Sequence, residues 1–285
     1  MEPIILTKEA CFSRLPARAP NTHKGNYGKL LCLCGCAQYR GAAALSVLGA
    51  LRVGAGIVTL AAEEVVLSSV ASRILESVFL PLPDERALAR AVSQSTAILA
   101  GCGLAESAAT TAQMRLLLKT ANCTLVLDAG GLCSFAGMLS MCHMQTQGSL
   151  IITPHVGEMA RLADVSVGQV LQMPADIALS VAEKTNAVVV LKSHRTLIAT
   201  PEGMLFENHT GNAGLARGGS GDVLSGIIAG LAAQGLSALD AAICGVYLHG
   251  ATADFCAAHS SMQGMLPEDI PLNLYKLFLE KEAQI

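Results

Sequence analysis

Between residues 30 and 192, short runs of apolar, β-branched residues alternate with stretches whose apolar positions recur every three or four residues. The runs predict strands at 30–35, 57–61, 77–80, 97–100, 124–128, 149–153 and 188–192. The stretches between them predict helices at 41–53, 64–74, 85–93, 107–119, 132–141, 156–163 and 174–185. A strand with no polar alternation is buried on both faces, so these strands belong in a mostly parallel sheet with helices on each side. After residue 192 the pattern changes. "RTLIATPEGMLFENH" reads as two short strands around the turn "TPEG", a hairpin at one edge of the sheet. Two long apolar helices follow at 219–234 and 238–258, and a last helix begins near Pro267, since the first turn tolerates proline. No linker, repeat or low-complexity tract interrupts the pattern. Residues 1–285 are expected to form a single α/β domain, a three-layer α/β/α sandwich.

Composition supports one large core: 52% of the residues are hydrophobic and only 14% are charged. The net charge of −3, the lack of a basic run and an aromatic content of 4% leave no footprint for nucleic acid. The longest apolar run, "VLSGIIAGLAAQGL", falls short of the roughly 18–20 residues of a membrane span. Its glycine pair, Gly226 and Gly230, reads as close helix packing in a globular core. The N-terminal "MEPIILTKEACFSRLP" does not read as a signal peptide. Ten cysteines raise the question of metal or disulfides. Cys32, Cys34 and Cys36 would share one strand face, yet no second cysteine pair or histidine pair stands at zinc-site spacing. They read as buried thiols in a reducing cytoplasm. A small molecule is the expected partner.

Ligands of open parallel sheets sit beyond the carboxyl ends of the strands. Such ends here run into "GCGL", "DAGGL", "TPHVGE" and "KSHRT", which together outline one cleft. The richest segment is "NHTGNAGLARGGSGDVLSG", residues 208–226, which leads into an apolar helix. Main-chain amides freed by Gly218, Gly219 and Gly221 can converge as an anion nest, and the helix start adds about half a positive charge. The segment is neither a Walker loop nor a dinucleotide fingerprint. Asp222, in the first helical turn, reads either as a helix-starting acid or as a general base facing a bound phosphate.

"GGSGD" before a long apolar helix resembles the anion-hole motif of the ribokinase-like superfamily. The longer "TGNAGLARGGSGDVLSGIIAGL" is similar to one branch, the ADP/ATP-dependent NAD(P)H-hydrate dehydratases. "HKGNYG", "RGAAALSVLGALRVGAG", "VLDAGGL", "TPHVGE" and "CGVYLHGATAD" agree in order and spacing over about residues 20–260. The resemblance implies a ribokinase-like fold and a repair enzyme that dehydrates the S-epimer of hydrated NADH or NADPH. ADP or ATP would be cleaved, with Mg²⁺ on its phosphates and no dedicated protein metal cage.

It further implies Asp222 as the base. Substrate contacts would be Ala42, Gly103 and His155, although Gly103 also reads as a turn glycine and His155 as a cap of the next helix. The nucleotide would lie along Lys192, Ser193, His194, Arg195 and Thr196 and on Gly218, Gly219, Ser220 and Gly221. Lys192 and Arg195 also read as a solvated basic turn, and Glu158 as a water–metal ligand or a helix acid. Asn208 and Asn212 are expected to shape the glycine-rich loop. Relatives of this kind imply a homotetramer and a separate epimerase for the other hydrate epimer. The chain departs from the pattern at Cys102, where proline is usual, at Ser193, where glycine is usual, and at Ser220, where threonine is commoner. A small-molecule kinase of the same superfamily, acting on a hydroxyethylthiazole or hydroxymethylpyrimidine, would use the same loop and the same acid.

Overall fold

The computed structural model describes residues 2–139 and 148–283. Among these residues ten strands form one sheet: β1 (Ile4–Ile5), β2 (Lys29–Leu33), β3 (Ile57–Ala62), β4 (Val78–Pro81), β5 (Ala97–Ala100), β6 (Thr124–Leu127), β7 (Leu150–Ile152), β8 (Ala187–Leu191), β9 (Thr196–Ala199) and β10 (Leu205–Asn208). Among the described residues thirteen α-helices surround it: α1 (Lys8–Phe12), α2 (Arg40–Arg52), α3 (Glu64–Ala71), α4 (Glu85–Gln94), α5 (Ala108–Thr120), α6 (Gly130–Leu139), α7 (Val156–Ala163), α8 (Val167–Gln172), α9 (Pro174–Thr185), α10 (Ser220–Ala233), α11 (Ala238–His259), α12 (Asp269–Asn273) and α13 (Tyr275–Glu282).

The strand order is β1-β10-β9-β8-β7-β6-β5-β2-β3-β4. Strands β2 to β8 run parallel, and β9 is antiparallel to both its neighbours. The hairpin β9–β10 is present, but the two-residue β1 pairs in parallel outside it, so the hairpin lies one strand in from the edge. From β2 the chain winds outward to β3 and β4, then returns to place β5 on the other side of β2. That reversal opens a crevice between the carboxyl ends of β2 and β5.

Side chains alternate between two cores. Leu30, Cys32, Leu60, Leu99, Val126, Ile151 and Val190 face α2, α3, α10 and α11. Leu31, Leu33, Ile98, Leu125, Ile152 and Val189 face α4 to α9. This is the expected three-layer sandwich. The most intimate helix contact is α2 against α10. A Cβ at Gly226 would run into the main chain of Ser46, and one at Gly230 would meet Ala50 and Val53. The GxxxG pair therefore lets two backbones touch inside the core. Helix α11 is long and apolar enough to cross a membrane, but most of it is buried within the molecule, as befits a core helix.

Predicted and observed boundaries differ by one or two residues at most ends, as fraying allows. The helix expected at 64–74 stops at Ala71, and that expected at 132–141 begins at Gly130; its predicted end, Met141, lies outside the described residues. The last helix divides into α12 and α13. The segments β1, α1 and α8 carry no prediction. Helix α8 had a readable signal, because Ser166 and Gln169 form a capping box at its start.

Candidate active site

The crevice at the β2–β5 reversal is floored by glycine. Gly35 N–H donates to the Cys102 carbonyl (2.8 Å) and Gly101 N–H to that of Leu33 (3.1 Å), which ties the two strand ends together. A Cβ on Gly103 would come within 2.6 Å of the Ala42 methyl group and 2.8 Å of the Tyr39 carbonyl. The fold thus places Ala42, at the start of α2, against Gly103.

Asp222 stands in the first turn of α10, behind the Gly218–Gly221 loop. Gly219 caps the helix in the left-handed region (φ 104°), packed on Leu45, a conformation and a space that suit glycine alone. Burial and then the charge of Asp128 push the Asp222 carboxyl up to about 6, against a smaller opposing pull from Lys192.

Asp128 follows β6 and is 2% exposed. The Lys192 ammonium donates to its Oδ1 (2.6 Å), Ser225 Oγ to its Oδ2 (2.7 Å), and the Cys102 thiol to Oδ2 (3.7 Å). Burial alone would push the Lys192 ammonium down, but Asp128 and Glu158 outweigh it and hold the pKa above the ordinary lysine value. Lys192 is thus a partly buried member of an ion pair with a buried acid, and the reading of a solvated basic turn fails for it. The Gly221 Cα lies against the same ammonium, since a Cβ there would stand 3.3 Å from Nζ. Cys102 hydrogen-bonds Cys34 and is enclosed, both of which raise its pKa and keep it a neutral thiol. Cys102, Asp128 and Asp222 bring one sulfur and two carboxylates within 4.8 Å of one another. Lys192 already supplies the positive charge there.

His155 caps α7, its Nδ1 accepting from Gly157 N–H (3.0 Å), while Glu158 accepts from the His155 main chain (2.9 Å). The capping reading is therefore observed for both residues, and both also line the cleft. Lys192 N–H donates to the Pro154 carbonyl (2.8 Å), joining the ends of β7 and β8. Ser193, in the usual glycine position, turns its hydroxyl onto the Arg195 carbonyl. The Arg195 guanidinium leans away to His209 and Glu207. His194 and Thr196 line the outer cavity. Asn208 and Asn212 shape the loop as expected: Asn208 Nδ2 donates to the Thr210 carbonyl (3.0 Å) and Asn212 Oδ1 accepts from Gly214 N–H (2.9 Å). Asp254 pins the same loop through Gly211 N–H (2.8 Å) and Asn212 Nδ2 (2.9 Å).

Two adjoining cavities result. The inner one, about 390 Å³, is lined by Asp128, Glu158, Lys192, Asp222 and residues 217–221. The outer one, about 580 Å³, runs between the Lys192–Thr196 segment, the 208–216 loop and α11. His155, Lys192, Ser193, Thr196, Leu215, Leu224 and His249 belong to both. Sequence reasoning passed over Asp128, Ser225, His249 and Asp254. Asp128 had a signal, an acid closing an apolar strand before two glycines; Ser225 and His249 sit mid-helix with none.

The family model described as NAD(P)H-hydrate dehydratase matches residues 30–275. A bifunctional NAD(P)H-hydrate repair enzyme of Moorella thermoacetica is 37% identical over 93% of this chain and 52% of its own length. The chain thus spans about half of that relative. The ADP-dependent (S)-NAD(P)H-hydrate dehydratase of Xanthomonas campestris is 36% identical, covering 92% of each chain. Among solved structures, the ADP/ATP-dependent NAD(P)H-hydrate dehydratase of Bacillus subtilis, co-crystallised with ATP/Mg²⁺, superposes with a TM-score of 0.89, 32% identity and 99% coverage of both chains. The architecture is ribokinase-like, as the sequence resemblance implied.

Proposed function

The chain belongs to the NAD(P)H-hydrate dehydratase family, and on that footing we propose that it is a hydro-lyase that restores NADH and NADPH from their S-hydrates, driven by cleavage of ADP or ATP. Asp222 carries this reading. It lies behind an amide-lined loop at a helix start, with its carboxyl raised to about 6, close to the pH at which it must take a proton.

The hydrate's ring hydroxyl would lie at Asp222, between Ala42, Gly103 and His155. Asp222 removes its proton while the oxygen attacks the terminal phosphoryl group of the nucleotide, forming one P–O bond and breaking another. AMP leaves from ADP, or ADP from ATP. The ring nitrogen's electron pair then expels phosphate from C6, and loss of the C5 proton restores the double bond. Hydroxide would be a far poorer leaving group. The amides of Gly218, Gly219 and Gly221 stabilise charge on the transferring phosphoryl group, while the Ser220 N–H turns back to the Arg217 carbonyl (3.3 Å). The nucleotide runs outward along Lys192, Ser193, His194, Arg195 and Thr196. Lys192, held by Asp128, sets a fixed positive charge beside the loop.

Mg²⁺ keeps an oxygen shell filled largely by phosphate and water. The acids suit such a guest: Glu158 and Asp222 line the inner cavity, while Asp128 is taken up by Lys192 and Ser225. Mg²⁺ would neutralise charge on the phosphates there. The described cysteines are free thiols, which supports a reducing cytoplasmic setting. Conversion of the R-hydrate would fall to a separate epimerase. Association into a homotetramer belongs to the same reading, and the groove where Leu45, Leu48 and Leu51 of α2 face Leu266 and Leu272, rimmed by Arg52, Arg73 and Glu268, is a candidate contact face.

Incubation with NADPH hydrate and either ADP or ATP, followed at the reduced-nicotinamide absorbance, tests the activity. Recovery of absorbance with release of phosphate is expected. No recovery, together with transfer of phosphate to a thiazole or pyrimidine alcohol, would show a kinase instead.

A further inference from the structure

Three buried side-chain polar atoms lack a hydrogen-bond partner among the described residues: Ser77 Oγ, Ser220 Oγ and His249 Nε2. Two of them meet in one wall. Ser220 ends the phosphate loop and is 7% exposed; His249, on α11, is 6% exposed, and both line the inner cavity. His249 also lines the outer cavity, so it stands where the two join. A buried polar atom left without a partner costs about 1–3 kcal/mol, and native proteins keep such atoms chiefly where a ligand or water completes them.

The chemistry of the ring narrows the ligand. Burial, opposed by a hydrogen bond to the Ser220 main chain, lowers the His249 pKa to about 4, so the imidazole is neutral and carries one proton. Nε2 has no partner, and we assign the ring proton to Nδ1, the nitrogen left to face the Ser220 main chain. Nε2 is then a bare acceptor. Phosphate oxygens have no proton to give it. The nearest proton-bearing groups on a ligand whose phosphates sit on residues 218–221 are ribose hydroxyls; an adenine amino group lies a full sugar further out.

We propose that His249 Nε2 accepts a hydrogen bond from a ribose hydroxyl of the adenine nucleotide, making His249 a nucleotide-binding residue anchored to the phosphate loop through Ser220. The assignment rests on the nucleotide occupying the outer cavity, as in the proposed function. The hydrated dinucleotide also carries ribose hydroxyls, and the experiment separates the two sources.

Calorimetric titration of the full chain with Mg·ADP, Mg·2′-deoxy-ADP and Mg·3′-deoxy-ADP tests the contact without requiring turnover. Wild type should bind one of the deoxynucleotides about tenfold more weakly than ADP, the loss of one neutral hydrogen bond with its acceptor left buried. His249→Phe should bind ADP about tenfold more weakly and no longer distinguish that deoxynucleotide. His249→Gln, which offers an amide oxygen at the reach of Nε2, should recover most of the affinity; His249→Asn, which reaches only as far as Nδ1, should not. Thermal melts establish that each variant is folded. If the Phe variant does not fold, the wild-type deoxynucleotide series and the Gln variant decide alone. Equal binding of ADP and both deoxynucleotides by wild type overturns the contact. So does an unchanged discrimination in His249→Phe. A variant with normal ADP binding but a raised KM for NADPH hydrate overturns the nucleotide assignment in favour of the dinucleotide ribose. A chain that binds ADP as described but does not dehydrate the hydrate leaves the contact standing and refutes only the proposed reaction.

Discussion

Replacing Asp222 with asparagine should make the protein more stable while removing its activity. The carboxyl is raised from its ordinary 3.8 to about 6 by burial and by Asp128. A shift of that size corresponds to about 3 kcal/mol at roughly 1.4 kcal/mol per pH unit. Some solvent reaches this side chain, which reduces the expected figure to about 2 kcal/mol. The folded-state pKa lies above the unfolded one, so the stability held by neutral Asp222 is complete below pH 4 and is lost as pH rises through 6. Asparagine keeps the shape and never ionises. The variant and wild type should therefore melt together near pH 4, separate between pH 4 and 6, and stay apart above it. For a chain of this length about 2 kcal/mol amounts to roughly 4–8 °C. The assay is a series of thermal melts from pH 4 to 8, paired with hydrate-repair kinetics in which kcat/KM should fall by about 10²–10⁴-fold. Equal melting temperatures at pH 8 would refute the claim that the site holds an ionised acid at a cost. Retained turnover would refute its role as base.

Asp128→Asn removes the charge that helps raise Asp222, so the acid limb of the kcat/KM–pH profile should move to lower pH. The same variant leaves Lys192 unpaired and should lose about 3 kcal/mol in denaturant melts. Gly226→Ala forces a methyl group into the main chain of Ser46, and urea unfolding should show a loss of about 1–3 kcal/mol. Cys102→Ala removes a neutral thiol whose contacts to Asp128, Cys34 and Asp222 are weak sulfur hydrogen bonds; repair rates should stay within about threefold of wild type.

The sheet was legible because its strands are local facts. The strand at Ala97–Ala100 matches its prediction at both ends, since polar residues and glycine bracket an unbroken apolar run. Strand β1 was not legible: two residues near the N-terminus become a strand only by pairing with Phe206 and Glu207. The site divides the same way. The glycine loop and Asp222 form one contiguous motif whose chemistry survives without the fold. The Asp128–Lys192 pair joins residues 64 apart, and which strand ends become neighbours depends on the sheet order. Arg195 shows the reverse case, a residue inside a recognisable segment whose side chain is drawn to Glu207 and His209. His249 is hidden in an apolar helix, where a histidine reads as one more core residue until the empty position at Nε2 is visible.

The glycine seam between α2 and α10 also bears on motion. Both helices begin at the crevice, one bringing Ala42 and the other Asp222, and they touch through Ser46–Gly226 and Ala50–Gly230. A contact made by main chain and methyl groups has almost no rotamers through which to rearrange. The two helices should move as one stiff fork, with amides along the seam among the slowest to exchange hydrogen. The tines of the fork, and with them Ala42 and Asp222, should keep their spacing throughout the cycle.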